Sequence, residues 1–146
     1  HARGAFIGLS LRHGIGHMAR SVLEGVSFGL NDSLTLMRRL GINPSNVILT
    51  GGGTRSGLWK QMLSDIFKSP CTLVNAQEGA AYGAAMLAAV GIKVKNSVEE
   101  ASMEWIEETE RISPGANVEI YEKMYSHYIE LYPSLKDHFQ SMSDLG

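Results

Sequence analysis

The sequence predicts an α/β fold, with helices packed on a small and partly parallel sheet. Two short apolar runs, Val47–Leu49 and Cys71–Val74, have the length and the partly β-branched composition of buried strands. A segment with helical spacing of apolar residues follows each run, and alternating strands and helices are typical of α/β folds. The 146 residues fit one domain with a real core. Because two strands make a thin sheet, we expect further strands from outside this sequence.

Seven elements are predicted after a glycine-punctuated first segment, which is expected to be a loop. The helices carry apolar residues three and four positions apart, and glycine or proline marks several of their ends. The elements are a helix over 17–40, a strand over 46–50, a helix over 56–68, a strand over 71–74, a helix over 78–91, a helix over 97–105 with Ser97 as N-cap, and a helix from 117 that Pro133 kinks or restarts.

The helix over 17–40 is predicted to be amphipathic. Arg20, Asp32, Arg38 and Arg39 largely decorate its polar side. Its apolar stripe consists of Met18, Val22, Val26, Leu30, Leu34 and Met37.

The stretch between the first strand and the second helix is the strongest candidate for a ligand site. Gly51, Gly52 and Gly53 bring bare backbone to the carboxyl end of the strand, where ligands bind in open α/β sheets. Thr54 and Ser56 are the candidate N-caps of the following helix. The spacing misses the dinucleotide fingerprint, because a serine replaces the third glycine, and it lacks the Lys-Ser/Thr pair of a P-loop. A tight turn that binds nothing remains the alternative.

Two neighbouring features have competing interpretations. Trp59, in the first turn of the helix over 56–68, is interpreted as a core residue, with stacking on a base as the alternative. Gly79 and Gly83 give the alanine-rich helix over 78–91 a nearly bare face, which favours close helix–sheet packing. The alternative is a helix whose N-terminus faces the same ligand as the glycines.

Composition excludes several classes of function. The net charge of −2 gives no electrostatic reason to expect nucleic acid or an anionic membrane surface. No apolar run approaches the roughly 20 residues that span a bilayer. Cys71 is the only cysteine, which fits a reducing cytoplasm.

His13 and His17 are not expected to bind a metal, because glycines interrupt any helix between them and no third ligand is near. Since the first residue is His1, we expect a longer parent chain.

Three segments resemble the FGGY family of carbohydrate kinases. Residues 4–9, followed after seven residues by 17–24, look like the second signature of that family. The Gly51-Gly-Gly-Thr-Arg-Ser56 turn, with Trp59-Lys-Gln61 and Ser64-Asp-Ile66 after it, is similar to the adenosine-side motif of the family. Residues 78–85 look like the helix that follows, and residues 2–6 and 23–28 look most like the xylulokinases within the family.

The resemblance implies a sugar kinase of the actin/hexokinase/Hsp70 type, with two domains of ribonuclease H-like fold and with ATP and Mg²⁺ in the cleft between them. Residues 1–146 would form the later part of the second domain. Gly51, Gly52, Gly53 and Ser56 would lie beside the adenosine. The catalytic aspartate and the phosphate-binding loops of such kinases match no residue here, so we expect no catalytic residue and no metal ligand in this chain.

The activity that the resemblance implies is phosphorylation of a ketopentose, D-xylulose, by ATP, and we expect this chain alone to be inactive. Kinases of other sugars or polyols, such as ribulose, gluconate or glycerol, are the nearest alternative. A different class of alternative is a non-catalytic α/β module that uses the glycines structurally and associates through the helix of Tyr121 and Tyr132. The oligomeric state stays open, with a homodimer among the alternatives.

Overall fold

The computed structural model describes residues 1–76 and 78–145. The chain forms two compact units, residues 43–115 and residues 1–42 with 116–146. In chain order the elements are α1 (Ile15–Arg39), β1 (Val47–Leu49), a 3₁₀ turn (Gly52–Arg55), α2 (Gly57–Phe67), β2 (Cys71–Val74), α3 (Gly79–Gly91), α4 (Val98–Trp105), β3 (Glu108–Ile112) and α5 (Val118–Ser143).

The sheet of residues 43–115 has the order β1-β2-β3. β1 and β2 are parallel, with Val47 opposite Cys71 and Leu49 opposite Leu73, so the partly parallel sheet is confirmed. β3 runs antiparallel to β2 and was absent from the predicted elements. The expectation of only two strands in this sequence is therefore wrong. β3 escapes sequence reasoning because Glu108–Ile112 is almost entirely polar and exposed, without the apolar alternation of a half-buried strand.

Local sequence signals locate the ends of the helices well. Ser56 caps α2 and Ser97 caps α4, each by accepting a hydrogen bond from a backbone N–H three residues later. Gly41, at φ +84°, ends α1 in a Schellman arrangement, in which the N–H of Ile42 donates to the carbonyl of Met37 over 3.0 Å. α5 runs through Pro133 as one helix, which excludes the restart and leaves the kink, the other predicted alternative.

A buried carboxylate holds α2 to the turn that follows β3. Asp65, 1% exposed, accepts hydrogen bonds from the N–H of Gly115 over 2.6 Å and from Gln61 over 2.8 Å. The same Gln61 amide donates to the carbonyl of Ser113 over 3.0 Å, and the Ser64 hydroxyl donates to the carbonyl of Ile112 over 3.0 Å. These residues lie in the segment that resembles an adenosine-side motif, yet their bonds hold the protein's own backbone.

In residues 1–42 and 116–146, aromatic side chains of α5 pack on α1. Phe28 of α1, 4% exposed, lies against the rings of Tyr121, Tyr125 and Tyr128, with centroids 5.3–6.1 Å apart. Arg20 donates to Glu24 over 2.9 Å and to the Tyr121 hydroxyl over 2.8 Å. Glu24 therefore serves neither as a helix cap nor as a free surface carboxylate, and instead fixes the polar rim of this aromatic contact.

The apolar stripe predicted for α1 is only partly its packed side. Leu34 is buried, but Val22, Val26 and Leu30 are 51%, 47% and 49% exposed. The side that was expected to be polar carries Glu24 and Asp32, and it receives the tyrosines of α5. The expectation fails because a tyrosine ring packs on apolar atoms while its hydroxyl bonds a carboxylate, so a mixed helix face can be a packed one.

We expect alanine at Asp65 to lower the free energy of unfolding by about 1–3 kcal/mol, because the N–H of Gly115 and the Gln61 amide lose a charged acceptor. Asparagine at Asp65 keeps an acceptor oxygen and should cost less. Asp137→Ala, an exposed aspartate on α5, is the control, and its effect should stay within about 0.5 kcal/mol. Urea denaturation followed by circular dichroism measures all three. Equal effects of the two alanine variants would contradict the assigned role.

We expect alkaline pH to destabilise the packing of α5 on α1. Burial raises the pKa of Tyr121, Tyr125 and Tyr128 above its ordinary value. The folded state therefore keeps these protons to higher pH than the unfolded state. This stabilising effect is complete below about pH 10 and is lost as pH rises through the raised folded pKa values.

The absorbance of tyrosinate and the urea midpoint, both measured against pH, check this expectation. Tyr121→Phe should reduce the alkaline loss of stability, whereas Tyr132→Phe, at a half-exposed ring, should not. Ionisation of Tyr121 at the ordinary pKa of tyrosine would refute the expectation.

Candidate functional site

The candidate site is the glycine turn, residues 51–56, at the carboxyl end of β1. Because β1 and β2 are parallel and paired from Val47↔Cys71 to Leu49↔Leu73, the segments that leave both strands emerge at the same edge of the sheet. The turn leaves β1 there, and Glu78, at the start of α3, follows β2 at that edge. This is the position at which open α/β sheets bind their ligands.

The turn has a fixed backbone conformation. Gly51 has φ +87° and ψ −177°, a region that is essentially restricted to glycine. Thr54 donates to the carbonyl of Gly51 from its hydroxyl over 2.7 Å and from its N–H over 3.2 Å. The N–H of Ser56 donates to the carbonyl of Gly53 over 3.1 Å. Thr54 thus closes the turn rather than capping α2, which decides between the two candidate caps in favour of Ser56.

The Ser56 hydroxyl is already used inside the protein. It accepts the N–H of Trp59 over 3.2 Å and so caps α2. Its part in ligand binding stays a prediction, and any such contact would use the oxygen's second lone pair or its proton.

The three glycines have different surroundings. A Cβ built on Gly51 or Gly52 meets no atom within 4 Å, so these two positions are open to an approaching ligand. A Cβ on Gly53 would lie 2.6 Å from a ring carbon of Trp59. The structure therefore distinguishes two open glycines from one that is packed against an indole, whereas the sequence treats all three alike.

The chemistry that the turn offers is binding rather than proton transfer. Residues 51–54 and 56 carry no side chain that titrates near neutral pH. Burial raises the pKa of Cys71, on neighbouring β2, to about 11, so its thiol stays protonated at neutral pH and is a poor nucleophile. Among the described residues, no group of three or more His, Cys, Asp and Glu side chains could hold a metal ion.

Two other predicted features lie apart from the turn. Nδ1 of His13 accepts the N–H of Ser10 over 2.8 Å, and Nδ1 of His17 accepts the N–H of Gly14 over 3.2 Å, so both rings fix local backbone at the start of α1. In residues 43–115, an open apolar pocket between α3 and α4 is lined by Ala81, Tyr82, Ala85 and Trp105. None of the predicted site residues lines it.

None of the helices in the described part of the chain is both long enough and apolar enough to cross a membrane.

The comparisons with known proteins agree with this architecture. The C-terminal domain of the FGGY family of carbohydrate kinases matches residues 1–92. Xylulose kinase from Bacillus subtilis (strain 168) is 36% identical over 136 residues, which are 92% of this chain and 27% of that protein. The crystal structure of xylulose kinase from Rhodospirillum rubrum has a TM-score of 0.82 at 31% identity, covering 95% of this chain and 28% of that chain. The crystal structure of gluconate kinase from Lactobacillus acidophilus has a TM-score of 0.79 at 27% identity, and the match covers 92% of this chain and 27% of that chain.

These findings first show the class of fold, which is an α/β portion of the actin/hexokinase/Hsp70 type, as predicted. The chain belongs to the FGGY family of carbohydrate kinases, which confirms the resemblance drawn from residues 4–9, 17–24 and the glycine turn. It spans about a quarter of the length of the relatives that it matches.

We expect alanine at Gly51 to cost roughly 1–3 kcal/mol of unfolding free energy, because only glycine adopts its backbone angles without strain. Gly52→Ala is the matched control, since the added Cβ meets nothing within 4 Å and Gly52 has no positive φ. Thermal and urea denaturation of both variants measure the difference. Equal stability of the two would contradict the assigned geometry of the turn.

Proposed function

We propose that the whole protein is an ATP-dependent sugar kinase that phosphorylates a ketopentose, D-xylulose, and that this chain supplies the adenosine side of its nucleotide site. Gly51, Gly52, Gly53 and Ser56 would line that side. The observation that supports this most directly is the open backbone at Gly51 and Gly52, at the carboxyl ends of two parallel strands, in a member of the FGGY family.

Residues 1–146 would then be the later part of the C-terminal kinase domain of a cytoplasmic enzyme. ATP is the phosphoryl donor that membership of a carbohydrate kinase family implies. Mg²⁺ is its expected companion, and the described residues hold no acidic cluster that would bind it.

This chain by itself is proposed to be inactive. Phosphoryl transfer needs the γ-phosphate, the metal and the attacking hydroxyl to be positioned together. The glycine turn offers backbone and hydroxyl groups, without a general base and without a cluster of metal ligands in the described residues. It can therefore form one wall of a nucleotide site but cannot carry out the transfer.

A coupled assay of ADP release tests the proposed activity. The whole protein, with ATP and Mg²⁺, should phosphorylate D-xylulose more efficiently than ribulose, gluconate or glycerol, as compared by kcat/KM. The 146-residue chain should give no turnover under the same conditions. A higher kcat/KM with gluconate would favour the alternative substrate, to which the likeness to gluconate kinase points. Absence of activity on every sugar would refute the proposal.

An NMR titration of the chain with ADP tests the site. Shifts concentrated at residues 51–59 and 78–83 would support an adenosine wall at this edge of the sheet. The same titration with the whole protein separates a pocket that needs its remaining parts from a turn that is only structural.

Gly52→Ala should raise KM for ATP and leave KM for the sugar unchanged, because its Cβ would occupy the space open to the nucleotide.

A further inference from the structure

The indole of Trp59 occupies the space that a side chain at Gly53 would need. A Cβ at Gly53 would lie 2.6, 2.8 and 3.4 Å from Cζ3, Cε3 and Cη2 of that ring. Distances below 3.0 Å are far inside van der Waals contact, so the absence of a side chain at Gly53 allows the ring to lie directly on the turn. The third glycine therefore packs against a side chain rather than standing open.

The same tryptophan is joined to the turn a second time. The backbone N–H of Trp59 donates to the Ser56 hydroxyl over 3.2 Å, and this bond caps α2. The backbone N–H of Ser56 in turn donates to the carbonyl of Gly53 over 3.1 Å. Ring, cap and glycine form a closed loop of contacts around residues 53–59. α2 buries Met62, Leu63 and Ile66 in the turns that follow Trp59, and the contact of the ring with Gly53 joins this packed helix to the glycine turn.

We propose that Trp59 is a positioning residue for nucleotide binding, which holds Gly51 and Gly52 in place through its contact with Gly53. This inference rests on the proposed function. The ring supports the turn from the Gly53 side and leaves Gly51 and Gly52, which have no neighbour within 4 Å of a Cβ, free for the ligand. Without the ring, the 3₁₀ turn Gly52–Arg55 would lose this packing contact and would keep its backbone bonds and the hydrogen bond donated by Thr54.

Variants with alanine or phenylalanine at Trp59, and with alanine at Gly53, separate a positioning role from a simple loss of stability. In the whole protein, Trp59→Ala should raise KM for ATP by about tenfold, since displacements near 1 Å in a positioning element cost up to about 100-fold. KM for the sugar should change less than about twofold, because the turn would contact only the nucleotide. Trp59→Phe keeps an aromatic ring and should give a smaller increase. Tyr132→Ala, which removes a half-exposed ring of α5, is the control and should leave both KM values unchanged.

A double-mutant cycle tests the contact itself. Gly53→Ala should raise KM for ATP in the wild-type background, because the new Cβ displaces the ring. In the Trp59→Ala background the same substitution should be nearly silent, since the clashing atoms are gone. Additive effects of the two substitutions would overturn the proposal.

The outcomes separate the proposal from the function on which it rests. A wild-type protein that phosphorylates no sugar with ATP refutes both. An active wild-type protein whose Trp59→Ala variant keeps its KM for ATP refutes the positioning role alone. Equal increases of KM for ATP and for the sugar would also refute it, because a general loss of structure predicts that pattern.

Discussion

The parallel pairing of β1 with β2 is the constraint on which the candidate site depends. Because Val47 pairs with Cys71 and Leu49 with Leu73, the two strands end together. The glycine turn and the start of α3 therefore leave the sheet at one edge, although about 25 residues separate them in the chain. A slip of one residue would turn each side chain of a strand to the opposite face and detach Thr72 from Asn46, whose side chains bond over 2.8 Å. The site thus follows from register as much as from the glycines.

The sequence predicts the features that depend on neighbouring residues and misses those that depend on residues far apart in the chain. The caps Ser56 and Ser97 and the stop at Gly41 use hydrogen bonds between residues at most five positions apart, so spacing alone reveals them. β3 depends on pairing with β2, because its own residues are polar and exposed. The packed side of α1 depends on Tyr121, which lies 101 positions after its partner Arg20 on α1, and no local sequence pattern predicts that contact. The sequence predicts the glycine turn, whereas the different surroundings of its three glycines depend on how Trp59 packs in the fold.

Motif likeness and ligand contact are separate properties in this chain. Gln61, Ser64 and Asp65 belong to the segment similar to an adenosine-side motif, yet they bind backbone atoms of residues 112–115. Such residues can recur in a family because they hold the scaffold that carries the site. The bonds thus assign them to the support of α2, and leave the open backbone of Gly51 and Gly52 as the part of this motif able to meet a ligand directly.

The turn shows how one residue type can meet three physical demands in succession. At Gly51 the demand is conformational, because its positive φ with extended ψ is closed to other residues. At Gly52 it would be access, since the proposed nucleotide needs the open space where a Cβ would stand. At Gly53 it is packing, because an indole fills that space. If the proposed site is right, a substitution acts on stability at the first position, on nucleotide approach at the second and on the packing of the turn at the third, so alanine should impair each position for a different reason.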